Sequence, residues 1–258
     1  MAISKLGARL RAHDWTAAII ELVIVVAGIL IALQVSNWNQ DRLDRARADS
    51  DYRRLHDSLV TDRETIDAVS AFWQQVSGYG YAAMDNAARG TRVDGSNWKT
   101  VLAWYQASQL MPFELEDTTF VEMRDRGDLV LIADEKLRNR LADYYHLTET
   151  GTIRANILWH DPVYRQQIRG VTPWAVQQYI WEHCFRQLGG IRQELIACPA
   201  PINEAEAGSL LDTYRHTDGL LVNLRYWMAT LKGSQLVIVD ARRSRDRLAR
   251  DIDAARSR

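Results

Sequence analysis

The sequence predicts an all-α protein with one N-terminal transmembrane helix that continues into a helical bundle with long N- and C-terminal helices. Three observations predict it. An apolar run of membrane-spanning length lies near the N-terminus. Hydrophobic residues recur in steps of three and four at both ends of the remaining chain. Glycine and proline number only 14 and 5 in 258 residues, too few for a sandwich of many short strands. The length suits an anchor plus one domain of ordinary size. Lys and Arg total 32 against 33 Asp and Glu, so the basic excess of a nucleic-acid-binding domain is missing and no such partner is expected.

The apolar run extends from Trp15 to Trp38 and holds one ionisable residue, Glu21. A helix rises ~1.5 Å per residue, so this run crosses a hydrocarbon core of ~30 Å. The two tryptophans stand where interfacial aromatic residues belong. A cleaved signal peptide is the alternative, but its apolar region is ~7–15 residues and a small-x-small cleavage site is missing. The expected division is a short basic segment at 1–14, the transmembrane helix at 15–38 and a helical soluble domain at 39–258. At about 100° per residue, Ala17, Ala18, Glu21, Gly28, Ala32, Ser36 and Asn39 share one stripe. Gly28 and Ala32 form a small-xxx-small pair that lets two helices approach closely. Glu21 is costly in lipid unless protonated, paired or close to the headgroups. The stripe of Glu21, Gly28 and Ala32 therefore marks a contact with a protein partner or a second copy; a solitary anchor whose glutamate snorkels is the alternative.

After Trp38 the helical pattern meets no breaker until Gly78-Tyr-Gly80. Within it Tyr52, Leu55, Leu59, Asp62, Ile66, Val69, Trp73 and Val76 form a heptad seam interrupted at Asp62. Leu220, Leu224, Trp227, Leu231, Ser234, Ile238, Ala241, Arg245, Leu248 and Ile252 form a second one. Two such seams fit a dimerising coiled-coil stalk or an intramolecular bundle. Between them Ser96 or Asn97 opens one helix. Thr119 and Glu122 have capping-box spacing for another, which ends at Gly127. Leu129-Val-Leu-Ile132 continues as a turn or buried link, and Asp134 caps the next helix. Pro162 and Pro173 punctuate the next stretch of chain, Trp174 to His183 is helical, Cys198-Pro-Ala-Pro is loop, and Asn203 caps a helix toward Tyr214.

Lys5, Arg9 and Arg11 precede the span; Arg42, Arg45, Arg47, Arg53 and Arg54 come after it. This count slightly favours a cytoplasmic domain, but long domains cross largely regardless of charge. Cys184 and Cys198 are the only cysteines and are separated by a short segment containing Gly189 and Gly190. Their pairing as a disulfide would place the domain in the periplasm, since disulfides persist there; two unrelated buried thiols are the alternative.

The stretch Glu21-Leu-Val-Ile-Val-Val-Ala-Gly-Ile-Leu-Ile-Ala-Leu-Gln-Val-Ser-Asn-Trp-Asn39 resembles the N-terminal signature of a family of bacterial membrane proteins designated domain of unknown function 6090. Thr119-Phe-Val-Glu-Met-Arg-Asp-Arg-Gly-Asp-Leu-Val-Leu-Ile132, with Asp134, Leu137 and Arg138, is similar to the same family. The resemblance covers the first half of the chain. It implies a bacterial inner-membrane protein with an N-terminal anchor, and no reaction or ligand.

No GxSxG, Walker, HExxH, CxxC or dinucleotide motif occurs. His56, His146, His160, His183 and His216 never pair at i+3 or i+4, and the doublets His56-Asp57, His160-Asp161 and His183-Cys184 are ordinary surface or core histidines. Glu114, Glu116 and Asp117 favour the dipole of the helix they precede. Thr119, Phe120, Gly127, Asp128 and Leu129 form a folding corner, or else a ligand or partner site at a helix junction. The arginine-rich end from Arg242 is a solvated helix end rather than a lipid or nucleic-acid contact. The expectation is thus a non-enzymatic protein without cofactor, catalytic or metal residues, in contact with the bilayer and acting through protein contacts in the cell envelope. A periplasmic small-ligand sensor, with an aromatic pocket near Trp98, Trp104 and Trp174, and a membrane-tethered enzyme are the alternatives.

Overall fold

A computed structural model describes residues 6–111, 113–149 and 162–256. Side chains are described from Ile19 onward in the first helix, together with Trp15. The description thus excludes Lys5, the His160-Asp161 doublet and the side chains of Arg9, Arg11, Ala17 and Ala18. The described residues form eight α-helices and one two-stranded sheet, an all-α fold. In chain order they are α1 (Leu6–Arg89), α2 (Asn97–Gln106), α3 (Thr118–Arg126), α4 (Glu135–Glu149), α5 (Val163–Val171), α6 (Trp174–His183), β1 (Phe185–Gln187), β2 (Gln193–Leu195), α7 (Glu204–His216) and α8 (Leu220–Arg256). The chain divides into two units, Met1–Asp51 and Tyr52–Arg258.

In the first unit, the apolar side chains from Ile19 to Trp38 are all exposed. Among the described residues this is the one helix long and apolar enough to cross a membrane; its most apolar window has a mean hydropathy of 2.6.

In the second unit a large set of apolar residues turns inward. Leu55, Leu59, Ile66, Val69, Trp73 and Val76 of α1 are buried, and so are all ten seam residues of α8. Both seams are thus filled from within this chain, which is the bundle of the two architectures that the spacing allowed. Gln235 of α8 donates to the Trp73 carbonyl and to Ser77 Oγ, and Arg242 pairs with Asp67 at 2.6 Å. Helix α4 packs on α8 and α2 on α7.

The breaker expected at Gly78-Tyr-Gly80 does not break the helix; α1 runs to Arg89 and ends where Gly90 takes a left-handed φ of 70°. Gly80 serves packing instead: a Cβ there would lie 2.1 Å from Met228 Sδ. Three expected caps form. Ser96 accepts from the Lys99 N–H, Asp134 Oδ1 from the Lys136 and Leu137 N–H groups, and Asn203 completes a capping box with Glu206. Gly127 ends α3 with a φ of 75°, and a short 3₁₀ turn at Asp128–Leu131 leads to buried Ile132. The segment between the cysteines holds an unexpected element, the hairpin β1–β2, with Gly189 and Gly190 in its turn at positive φ.

Candidate functional site

Arg54, Ser58 and Asp62 stand at i, i+4 and i+8 on α1 and form one polar stripe that meets the apolar seam at Asp62. Each meets a residue of the segment that enters and forms α3. An Arg54 guanidinium N–H donates to Glu122. Ser58 Oγ lies 3.2 Å from Thr119 Oγ1. Asp62 Oδ1 accepts the backbone N–H of Glu116 at 2.6 Å. The steps of four on α1 thus oppose the steps of three from Glu122 to Thr119 to Glu116.

This corrects the capping-box reading of Thr119 and Glu122. The N-cap position is Asp117, and its side chain makes no cap hydrogen bond. Thr119 and Glu122 turn away from their own helix end toward α1. The spacing of three puts both on one helix face, which serves a cross-helix contact as well as a cap. Glu116 also departs from a purely dipolar role, since its own backbone N–H is held by Asp62, while its Oε1 accepts from the Thr118 N–H. Asp128 Oδ2 accepts from Arg126 Nε at 2.8 Å.

Asp62 is fully buried. Its Oδ2 accepts the Tyr144 hydroxyl at 3.0 Å, so one carboxyl joins α1, the approach to α3, and α4. Arg245 of α8 bears on it only through space. Its Nε donates to the Leu59 carbonyl at 2.7 Å and its Nη1 to Asp246 at 2.8 Å. Burial pushes Asp62 up to about 7, against the pull of the Glu116 N–H and the Tyr144 hydroxyl; the Glu116 carboxylate adds to the rise and Arg245 opposes it. Burial and the Asp62 charge together push the Tyr144 and Tyr145 hydroxyls well above the ordinary phenol range. Tyr145 stacks on Phe120 at 4.9 Å and meets Tyr144 edge-on at 5.0 Å, which closes the apolar walls around the carboxyl.

A second polar cluster fixes the turn after α2. Arg165 donates to the Ser108 carbonyl, and Arg169 to Ser108 Oγ and Gln109 Oε1. The Arg169 guanidinium lies over the Tyr105 and Trp181 rings at 5.1 and 5.4 Å. Beside it, Cys184 and Cys198 are joined by a disulfide, with Cα atoms 5.1 Å apart. Gln106 Nε2 donates to the Cys184 carbonyl and Trp98 Nε1 to the Cys198 carbonyl, so α2 holds both ends of the bridge.

The remaining candidates do not converge. Trp98 packs edge-on against Tyr179 and Trp104 at a tilt against Tyr214, both buried, whereas Trp174 is 68% exposed. His56 sits at the surface, 3.7 Å from Asp57 and 3.8 Å from Asp253. His183 and His216 each contact the carbonyl four residues back. Among the described residues no group of three or more His, Cys, Asp or Glu is placed to hold a metal ion. Glu21, Gly28 and Ala32 are exposed on α1.

Compared with known protein families, with characterised proteins and with solved structures, the chain matches none.

Proposed function

We propose that this is a single-pass protein of the bacterial inner membrane, related to the family of domain of unknown function 6090, with its helical domain in the periplasm and acting through protein contacts rather than catalysis. The observation that carries the proposal is the wholly exposed apolar run of α1, bounded by exposed Trp15 and Trp38. In water such a surface would be a large liability, whereas in lipid it is the ordinary finish of a membrane helix. The Cys184–Cys198 bridge supports the periplasmic side, because a reducing cytosol would keep the thiols apart. The stripe of Glu21, Gly28 and Ala32 supports a contact within the bilayer. Gly28 has open space where a side chain would be, and a second helix can come close there.

The test is a pair of reporters fused after Arg258, one active only outside the cytoplasm and one only inside. Activity of the first alone supports the reading. Activity of the second alone overturns the periplasmic assignment and, with it, the bridge as a feature of the protein in the cell.

A further inference from the structure

Asp62 places an ionisable group in the middle of an apolar bundle, where an asparagine would offer an acceptor without any charge. It stands where a leucine would continue the seam from Leu59 to Ile66. Its two oxygens nonetheless hold two other parts of the fold at once, the Glu116 N–H and the Tyr144 hydroxyl. A buried carboxylate without a contacting cation is costly, while burying the protonated acid costs far less. The groups facing it are few. Glu116 on the approach to α3 repels a negative charge, the Tyr144 and Tyr145 hydroxyls on α4 are uncharged, and Arg245 on α8 spends its Nε and Nη1 donors on the Leu59 carbonyl and Asp246.

We propose that Asp62 is a proton-operated latch that holds the corner formed by residues 116–131 against α1 when protonated and releases it when ionised. Loss of the proton puts a negative charge without a contacting cation between α1 and α4. The cheapest relief is entry of water where Glu116 crosses Asp62; past it the buried Ser58–Thr119 contact leads to the partly exposed Arg54–Glu122 pair. The corner then opens while the seam between α1 and α8 stays closed. The latch does not depend on the side of the membrane on which the domain lies, so its failure and that of the topology are separable.

The sign is set by the raised pKa of Asp62. The closed state binds the proton more tightly than the open one, so closure is fully favoured below the ordinary carboxyl range near 4 and weakens as pH rises through about 7. Hydrogen exchange of the full chain in detergent micelles, corrected for the intrinsic pH dependence of exchange, reads this directly. Opening of residues 114–132 should increase roughly tenfold between pH 6 and pH 8, with residues 220–252 unchanged. Asp62→Asn keeps the shape and an acceptor for the Glu116 N–H, and should remove the pH dependence. Tyr144→Phe deletes a hydrogen bond that favours the ionised form, and should move the midpoint to higher pH. A flat profile in the unaltered protein, or the same profile in Asp62→Asn, overturns the latch. If Asp62→Asn does not fold, the direction of the Tyr144→Phe shift decides, a shift to lower pH or none counting against it.

Discussion

One helix, α1, carries two different surfaces. From Ile19 to Trp38 apolar side chains surround the helix and all of them are exposed. From Leu55 to Val76 the large apolar residues other than Val60 turn inward, and most of the outward positions are polar, as at Asp57, Glu64 and Asp67. The backbone is the same in both, so the difference teaches that periodicity, not helix propensity, specifies the surroundings of a long helix. A stripe is written for a protein core, and a full coat for lipid.

The largest contrast comes from truncating leucine in each half. Leu59→Ala should cost the domain about 2–5 kcal/mol, measured by denaturant unfolding in detergent, since Leu59 is fully buried. Leu30→Ala on the exposed run should leave domain stability unchanged; an equal loss at Leu30 would mean that the run is also core. A second test concerns the disulfide staple of the domain. Cys198→Ser should lower stability by about 3 kcal/mol for a loop of this size, and reductant should do the same to the unaltered protein without adding to the variant. The smallest contrast uses glycine. Gly127→Ala forces a side chain into a left-handed φ of 75° and should cost about 1 kcal/mol. Gly28→Ala meets nothing and should cost the domain nothing, measured in the same unfolding experiment.

Much of this contrast was legible from spacing alone. The seam residues of α1 and α8, the caps at Ser96, Asp134 and Asn203, and the stop at Gly127 obey local rules that need no distant partner. The polar clamp was not legible, because Asp62 meets partners 54 and 82 residues away, and a lone aspartate in a seam reads as an interruption. Thr119 and Glu122 misled because a spacing of three serves a capping box and a cross-helix face alike. Gly80 misled because a glycine in a helix reads as a breaker, when here it admits Met228. The hairpin escaped because strands of three residues each leave too short an alternation to read.

We propose that α1 enters lipid with one half and a folded core with the other. An alkaline carbonate wash of cell membranes tests it most directly, comparing the full chain with a chain lacking residues 15–38. The account predicts that the full chain stays in the membrane pellet until detergent is added, whereas the shortened chain is released in the wash. Release of the full chain would contradict it.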